Sequence, residues 1–240
     1  MLLMLLERGE LVHSAVFFDT GWEFPQMHDH IEVLRKMVAP VPVVTLKPKS
    51  PFLFLMMDQP IMRKRKTKSR PRTQGWGWPS MKRRWCTNEK NRAIAKYVRT
   101  IPGAVTAIGF AADEAHRIET KDMRKRFRAR KVSFPLIEWS VTEADALAYC
   151  HARGMDWGGL YRHFHRVSCF CCPNSSIGEL QRLRWYYPDL WALMLKWDGD
   201  LADNRGFKGY ATVHDLDARF AEEDRKGWLP GVPGNPLEAA

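Results

Sequence analysis

A chain of 240 residues is long enough to bury a substantial core, and its 45% hydrophobic and 27% charged residues are ordinary for a globular protein. The formal net charge of +11 points to an anionic partner, while no apolar run approaches the length of a membrane-spanning helix. Five cysteines, three of them within four positions, do not read as a disulfide framework; they suit a reducing cytoplasm and a metal or redox site.

Residues 1–8 read as the tail of a helix, with Gly9 a C-cap candidate. Six apolar residues before Glu7 and Arg8 are too few for a signal peptide or a membrane span. Residues 14–18 then form an apolar, β-branched and aromatic run that passes straight into Asp19-Thr20-Gly21-Trp22-Glu23-Phe24-Pro25. That pattern predicts a buried strand with a polar C-terminal tip, which is where open α/β sheets bind ligands. A helix should follow over 25–38, with Pro25 near its first turn and Ile31, Leu34 and Val38 on one face.

A second strand is expected over 41–46, where Pro40 and Pro42 mark an edge strand or a strand start. Residues 47–80 show no lasting period and read as a long loop with one short turn around 52–57. Further on, the patterns predict a helix over 88–98 with Thr87 as N-cap, and strands over 104–110 and 132–137. A helix over 140–153 is opened by Thr142-x-x-Asp145 and closed by Gly154. Helices over 177–187, 188–197 and 213–224 complete the chain. The fold class expected is α/β, a mostly parallel sheet with helices on both faces. Residues 1–140 would form the α/β domain and 141–240 a helical part carrying the cysteines.

Charge is unevenly spread. Between Gln59 and Arg84 lie ten cations (Arg63, Lys64, Arg65, Lys66, Lys68, Arg70, Arg72, Lys82, Arg83 and Arg84) and no acid. Residues 121–131 hold seven more against Asp122 alone. Such runs serve either a polyanion partner or the solubility of an insertion. Trp76, Trp78 and Trp85 beside the first run suit base stacking, or equally the anchoring of the loop to a core.

Three further segments carry chemistry. Arg83-Arg84-Trp85-Cys86-Thr87-Asn88-Glu89-Lys90 puts a thiol at a predicted helix start, where the dipole favours a thiolate, and Lys90 one turn inside. In Ile108-Gly109-Phe110-Ala111-Ala112-Asp113-Glu114-Ala115-His116-Arg117, Gly109 permits close backbone approach and Arg117 offers a planar fork to phosphate. Arg166-Val167-Ser168-Cys169-Phe170-Cys171-Cys172-Pro173 contains a C-x-x-C, from which two thiolates grip one metal or cluster. With Cys86 and Cys171 there are four candidate ligands. Zinc, with His163 or His165 assisting, and a plain redox pair stay open as alternatives. Cys150, inside a predicted helix, reads as a packed thiol, and the aromatic set Trp185, Tyr186, Tyr187, Trp191 and Trp197 as helix packing.

These words, in this order, resemble the phosphoadenosine phosphosulfate (PAPS) reductase family of the adenine-nucleotide α-hydrolase-like superfamily. The turn at 19–25 is similar to its "DTG…FPE" signature, with Gln26 in place of the acid. Residues 83–90, 109–117 and 135–139 (Pro135-Leu136-Ile137-Glu138-Trp139) are similar to its "R-x-C-T-x-x-x-K", "G-I-R-x-D-E-x-x-R" and "P-L-x-x-W" segments, with Phe110 or Ala111 where the family has its first Arg. The resemblance implies a Rossmann-like α/β/α sandwich and sulfur chemistry on an adenine nucleotide, either ATP or PAPS-like. Asp19, Thr20, Gly21 and Gly109 would line its pocket, and Lys90 and Arg117 would hold its anion. Cys86, Cys169, Cys171 and Cys172 would hold a [4Fe-4S] cluster, although the early site is a single cysteine rather than a pair. A thiol reductant protein is implied as partner. Relatives begin with a strand and a Ser-Gly-Gly-x-Asp-Ser phosphate loop, so the reading expects either a start placed too late or a form without that loop. No cysteine follows Cys172, so sulfur transfer is as well supported as sulfonucleotide reduction. The alternative expectation is a non-catalytic nucleic-acid-binding protein that keeps the fold.

Overall fold

The structure, a computed structural model, describes residues 1–61, 73–119, 127, 131–202 and 204–230. Most of the first basic run, Arg63 to Arg72, and all but Lys131 among the cations of the second lie outside the described residues. The chain gathers into two units, each discontinuous in sequence. The first comprises Met1–Phe18, Gln26–Leu46 and Arg92–Gly158; the second comprises Asp19–Pro25, Lys47–Asn91 and Gly159–Ala240.

In the first unit the strand Ala15–Phe18 pairs in parallel with Val43–Leu46, in a register running from Ala15 opposite Val43 to Phe18 opposite Leu46. Parallel neighbours require a crossover, and the helix Pro25–Met37 lies on it, with Ile31 buried. Arg35 of that helix hydrogen-bonds the Val43 carbonyl (3.3 Å) and the Thr45 hydroxyl (2.5 Å), which ties helix to strand. A second parallel pair joins Thr106–Ala107 to Val132–Ser133. Both strands are shorter than expected. Pro135, which has no N–H for a ladder and a φ suited to a first helical turn, opens the short helix Pro135–Glu138 instead. The capping box at Thr142 is built as its spacing predicts. Thr142 Oγ1 accepts from the Asp145 N–H (3.1 Å), and Asp145 accepts from the Thr142 N–H (3.0 Å), at the head of the helix Glu143–His151.

The second unit is helical and aromatic. Phe52–Met57, expected as a turn, is a helix with Phe52, Leu55 and Met56 buried. The helices Ile177–Tyr186, Pro188–Asp200 and Val213–Arg225 follow close to their expected bounds. Trp22 stands at the centre of an aromatic cluster, with ring centroids 5.2 Å from Phe52, 5.8 Å from Trp85, 5.7 Å from Trp197 and 6.4 Å from Trp78. The helix Trp85–Val98 begins three residues before the expected start at Asn88, because Trp85 is buried in this cluster and donates Nε1–H to the Gly77 carbonyl (3.1 Å). Thr87 is therefore inside the first turn and not its cap.

The architecture is mixed α/β with short parallel pairings. The described strands form three separate two-stranded ladders, two parallel and one antiparallel, where a single parallel sheet was expected. No helix among the described residues is long and apolar enough to cross a membrane.

Candidate functional site

The turn that leaves the first strand folds around its own side chains. Asp19 Oδ1 accepts from the Gly21 N–H (2.9 Å), and Gly21 takes φ +77°, a conformation that favours glycine. Lys47 pairs with the other Asp19 oxygen at 3.5 Å. Glu23 reaches back over the turn: its carboxylate accepts from the Thr20 N–H (3.0 Å), the Thr20 hydroxyl (2.8 Å) and the Trp22 N–H (3.1 Å). Burial raises the Glu23 carboxyl above its usual range, against the lowering effect of the Thr20 bonds.

This turn meets the thiol segment within the second unit. Cys169 Sγ lies 3.5 Å from Thr20 Oγ1 and 3.9 Å from Glu23 Oε1. The Phe170 N–H donates to the Trp22 carbonyl (3.0 Å), so the two segments are joined through backbone as well as side chains. The C-x-x-C closes as a turn, the Cys172 N–H donating to the Cys169 carbonyl at 3.1 Å. Cys86 is near enough for its charge to be felt by Cys169 and to feel that of Cys172. Three stretches separated by more than sixty residues each thus converge: the Asp19–Glu23 turn, Cys86 and the thiols at 169–172.

The electrostatics overturn one expectation. The Cys86 thiol is not lowered by its helix terminus; burial raises it, outweighing small opposing effects from Thr87 and Lys90. Cys169 is pushed up to about 12, first by burial and then by Glu23. Cys171, 1% exposed, is driven upward most strongly by burial. A thiol buried without a cation or a metal keeps its proton.

Zinc fits poorly. Tetrahedral Zn–S bonds of about 2.3 Å bring thiolates about 3.8 Å apart. No three of these sulfurs lie within 4.8 Å of one another, and no histidine joins them in such a group. His163 instead stacks on Tyr186, ring centroids 3.9 Å apart.

Two residues missed by sequence reasoning support the site. Lys208 is half-buried and donates Nζ–H bonds to the carbonyls of Pro173 (2.8 Å) and Ser175 (2.5 Å), clipping the turn after Cys172. Glu23 organises the Thr20 turn as described. A lone lysine forty residues away carries no local signal, whereas the Thr20-x-x-Glu23 spacing resembles a capping box and could have been read.

Of the expected nucleotide residues, Asp19, Thr20, Gly21 and Lys90 belong to the second unit, with Lys90 exposed. Gly109 and Arg117 belong to the first. Arg117 lies 4.3 Å over the Phe110 ring and pairs with Glu114, so its fork is already engaged locally. A Cβ on Gly109 would meet Met1 Sδ at 3.6 Å, ordinary contact, so close approach does not require glycine there. Cys150, in Glu143–His151, is a partly buried thiol raised by burial. In the aromatic set, Trp191 and Trp197 are core, while Trp185 and Tyr186 are exposed.

No protein-family model matches the chain, and no solved structure matches it. It is similar to two uncharacterized proteins of Methanocaldococcus jannaschii. One is 25% identical over 204 residues, covering 81% of this chain and 44% of its own length. The other is 22% identical over 222 residues, covering 90% of this chain and 40% of its own length. The chain therefore spans less than half the length of the curated relatives it matches.

Proposed function

We propose that this protein is a member of the PAPS reductase family with a Rossmann-like α/β/α core, binding an adenine nucleotide and carrying out sulfur chemistry on it, either sulfonucleotide reduction or sulfur transfer. The observation that carries the reading is the contact of Thr20 with Cys169, 3.5 Å across 149 residues of sequence. That contact brings the polar tip of the first strand and the C-x-x-C to one place, as a shared site requires. In this reading Asp19, Thr20 and Gly21 line the nucleotide pocket, and Lys90 holds its anionic end.

Cys86, Cys169, Cys171 and Cys172 are the residues that would hold a [4Fe-4S] cluster, with zinc as the alternative. When bound, such a cluster supplies an electron store or a Lewis-acidic iron beside the nucleotide. The chain's own residues do the rest. Glu23 fixes the Thr20 hydroxyl, Thr20 and Glu23 border Cys169, and the Trp22 cluster keeps water from the inner side of the turn.

The test uses protein purified without oxygen. Iron and sulfide content with broad visible absorption, together with a rise in melting temperature on adding ATP or PAPS, is expected. Saturating ligand at about a hundred times Kd adds about 2.7 kcal/mol. Cys169→Ser and Cys172→Ser should abolish the colour, and Cys150→Ser should leave it. A colourless, iron-free protein whose melting ignores both nucleotides overturns the proposal.

A further inference from the structure

The structure sorts the three tryptophans beside the basic run. Trp78 and Trp85 are core residues, 2% and 8% exposed, whereas Trp76 is 36% exposed. Around Trp76 the chain is tightly tied. Its N–H donates to the Leu55 carbonyl (2.9 Å), and Gly77 N–H donates to the Met56 carbonyl (3.0 Å). The turn that follows folds back: Ser80 and Arg83 exchange backbone hydrogen bonds, and the Arg83 guanidinium holds the Trp76 carbonyl at 2.7 Å. Arg84 reaches the Met81 sulfur at 2.8 Å. Met81 is 63% exposed, and Lys82 and Arg84 are exposed beside it. Two further apolar side chains, Leu53 and Phe54, are exposed on the helix to which Trp76 is bonded.

We propose that this turn, Trp76 with Met81, Lys82, Arg83 and Arg84, is a docking surface for single-stranded nucleic acid. A rigidly held exposed indole flanked by cations is the arrangement that stacks an unpaired base while neutralising its phosphates. The charge is one-sided: among the described residues from Gln59 to Arg84, Lys82, Arg83 and Arg84 are cations and none is an acid. The preceding acid, Asp58, accepts from the Gln74 amide at 3.4 Å. A duplex hides its base faces from such a surface, so the single strand is the occupant favoured over double-stranded DNA. The surface stands independently of the nucleotide and thiol site, and the helix that begins at Trp85 continues from it directly to Cys86.

The experiment is fluorescence anisotropy of the full chain with a labelled twelve-nucleotide single strand, RNA and DNA, over a salt series. A duplex of the same sequence and phosphatidylserine vesicles serve as competitors. Binding should weaken steeply with salt, and Lys82→Gln with Arg84→Gln should reduce the log–log slope by about 1.4, two phosphates at about 0.7 each. Trp76→Ala should weaken binding roughly tenfold without changing the slope, and Trp76→Phe should restore most of it. Lys82 and Arg84 are exposed, so the slope measurement does not depend on tolerance at Trp76. Unchanged slope in the double variant, a duplex bound as tightly as the single strand, or competition by vesicles stronger than by unlabelled strand would each overturn the proposal.

Discussion

Replacing Asp198 by alanine probes how the helical core holds the candidate site. Asp198 is 2% exposed at the end of the helix Pro188–Asp200, yet both oxygens are used. Oδ1 accepts from Trp78 Nε1 at 2.7 Å, and Oδ2 accepts from the Val213 N–H at 3.0 Å, which opens the last helix. Alanine leaves two buried donors without partners, at roughly 1–3 kcal/mol each, so a loss of about 4 kcal/mol is expected. For a chain of this size each kcal/mol shifts melting by about 2–4 °C, giving a fall of about 8–16 °C. Asparagine keeps one acceptor oxygen but turns an NH2 toward the second donor, and should fall between the two. The effect should reach the thiols, since Trp78 packs on Trp22, whose carbonyl holds the Phe170 N–H. Thermal melting by circular dichroism, paired with the alkylation rate of Cys169, is the assay. An alanine variant that melts within about 2 °C of the parent, or an asparagine variant worse than alanine, refutes the reasoning.

Three more outcomes are expected. Gly75 has φ +71°, and a Cβ there would lie 2.2 Å from the Met56 carbonyl oxygen, so Gly75→Ala should cost at least about 3 kcal/mol in urea unfolding; a cost under 1 would contradict the packing. Burial lowers the pKa of His30, which stacks on Trp157 at 4.8 Å, and Asp156 opposes only in part. The unfolded chain therefore binds the proton more readily, and stability is lost as pH falls from about 6.5 through the folded value. His30→Phe keeps the stack and should remove that acid-side loss, seen as melting curves that converge at pH 8 and separate at pH 5; parallel curves would refute it. Lys208→Met should unhook the turn after Cys172, losing about 1–2 kcal/mol and speeding alkylation of Cys172, and an unchanged rate would show that the clip is not structural.

Local interactions were legible in the residues themselves. The strand at 15–18, the crossover helix, the Thr142 capping box and the three C-terminal helices all follow from short-range rules: alternation, periodicity, side chains that satisfy nearby N–H groups. The spacing Cys169–Cys172 was also plain, as was the polar tip at Asp19–Thr20–Gly21. What those rules do not contain is burial by distant partners. Trp85 drew the helix start past Thr87 because an aromatic cluster from four other segments received it.

The same reason reversed the expected state of Cys86. A helix terminus favours a thiolate by a modest, solvent-screened amount, whereas desolvation by the surrounding core acts on the full charge. Which tryptophan faces water, which carboxylate folds over Thr20 and which lysine fastens the Cys172 turn were likewise decided in three dimensions. Sequence order named the chemical groups; packing chose their neighbours, because proximity between residues 20 and 169 is a property of the folded core and of nothing local to either.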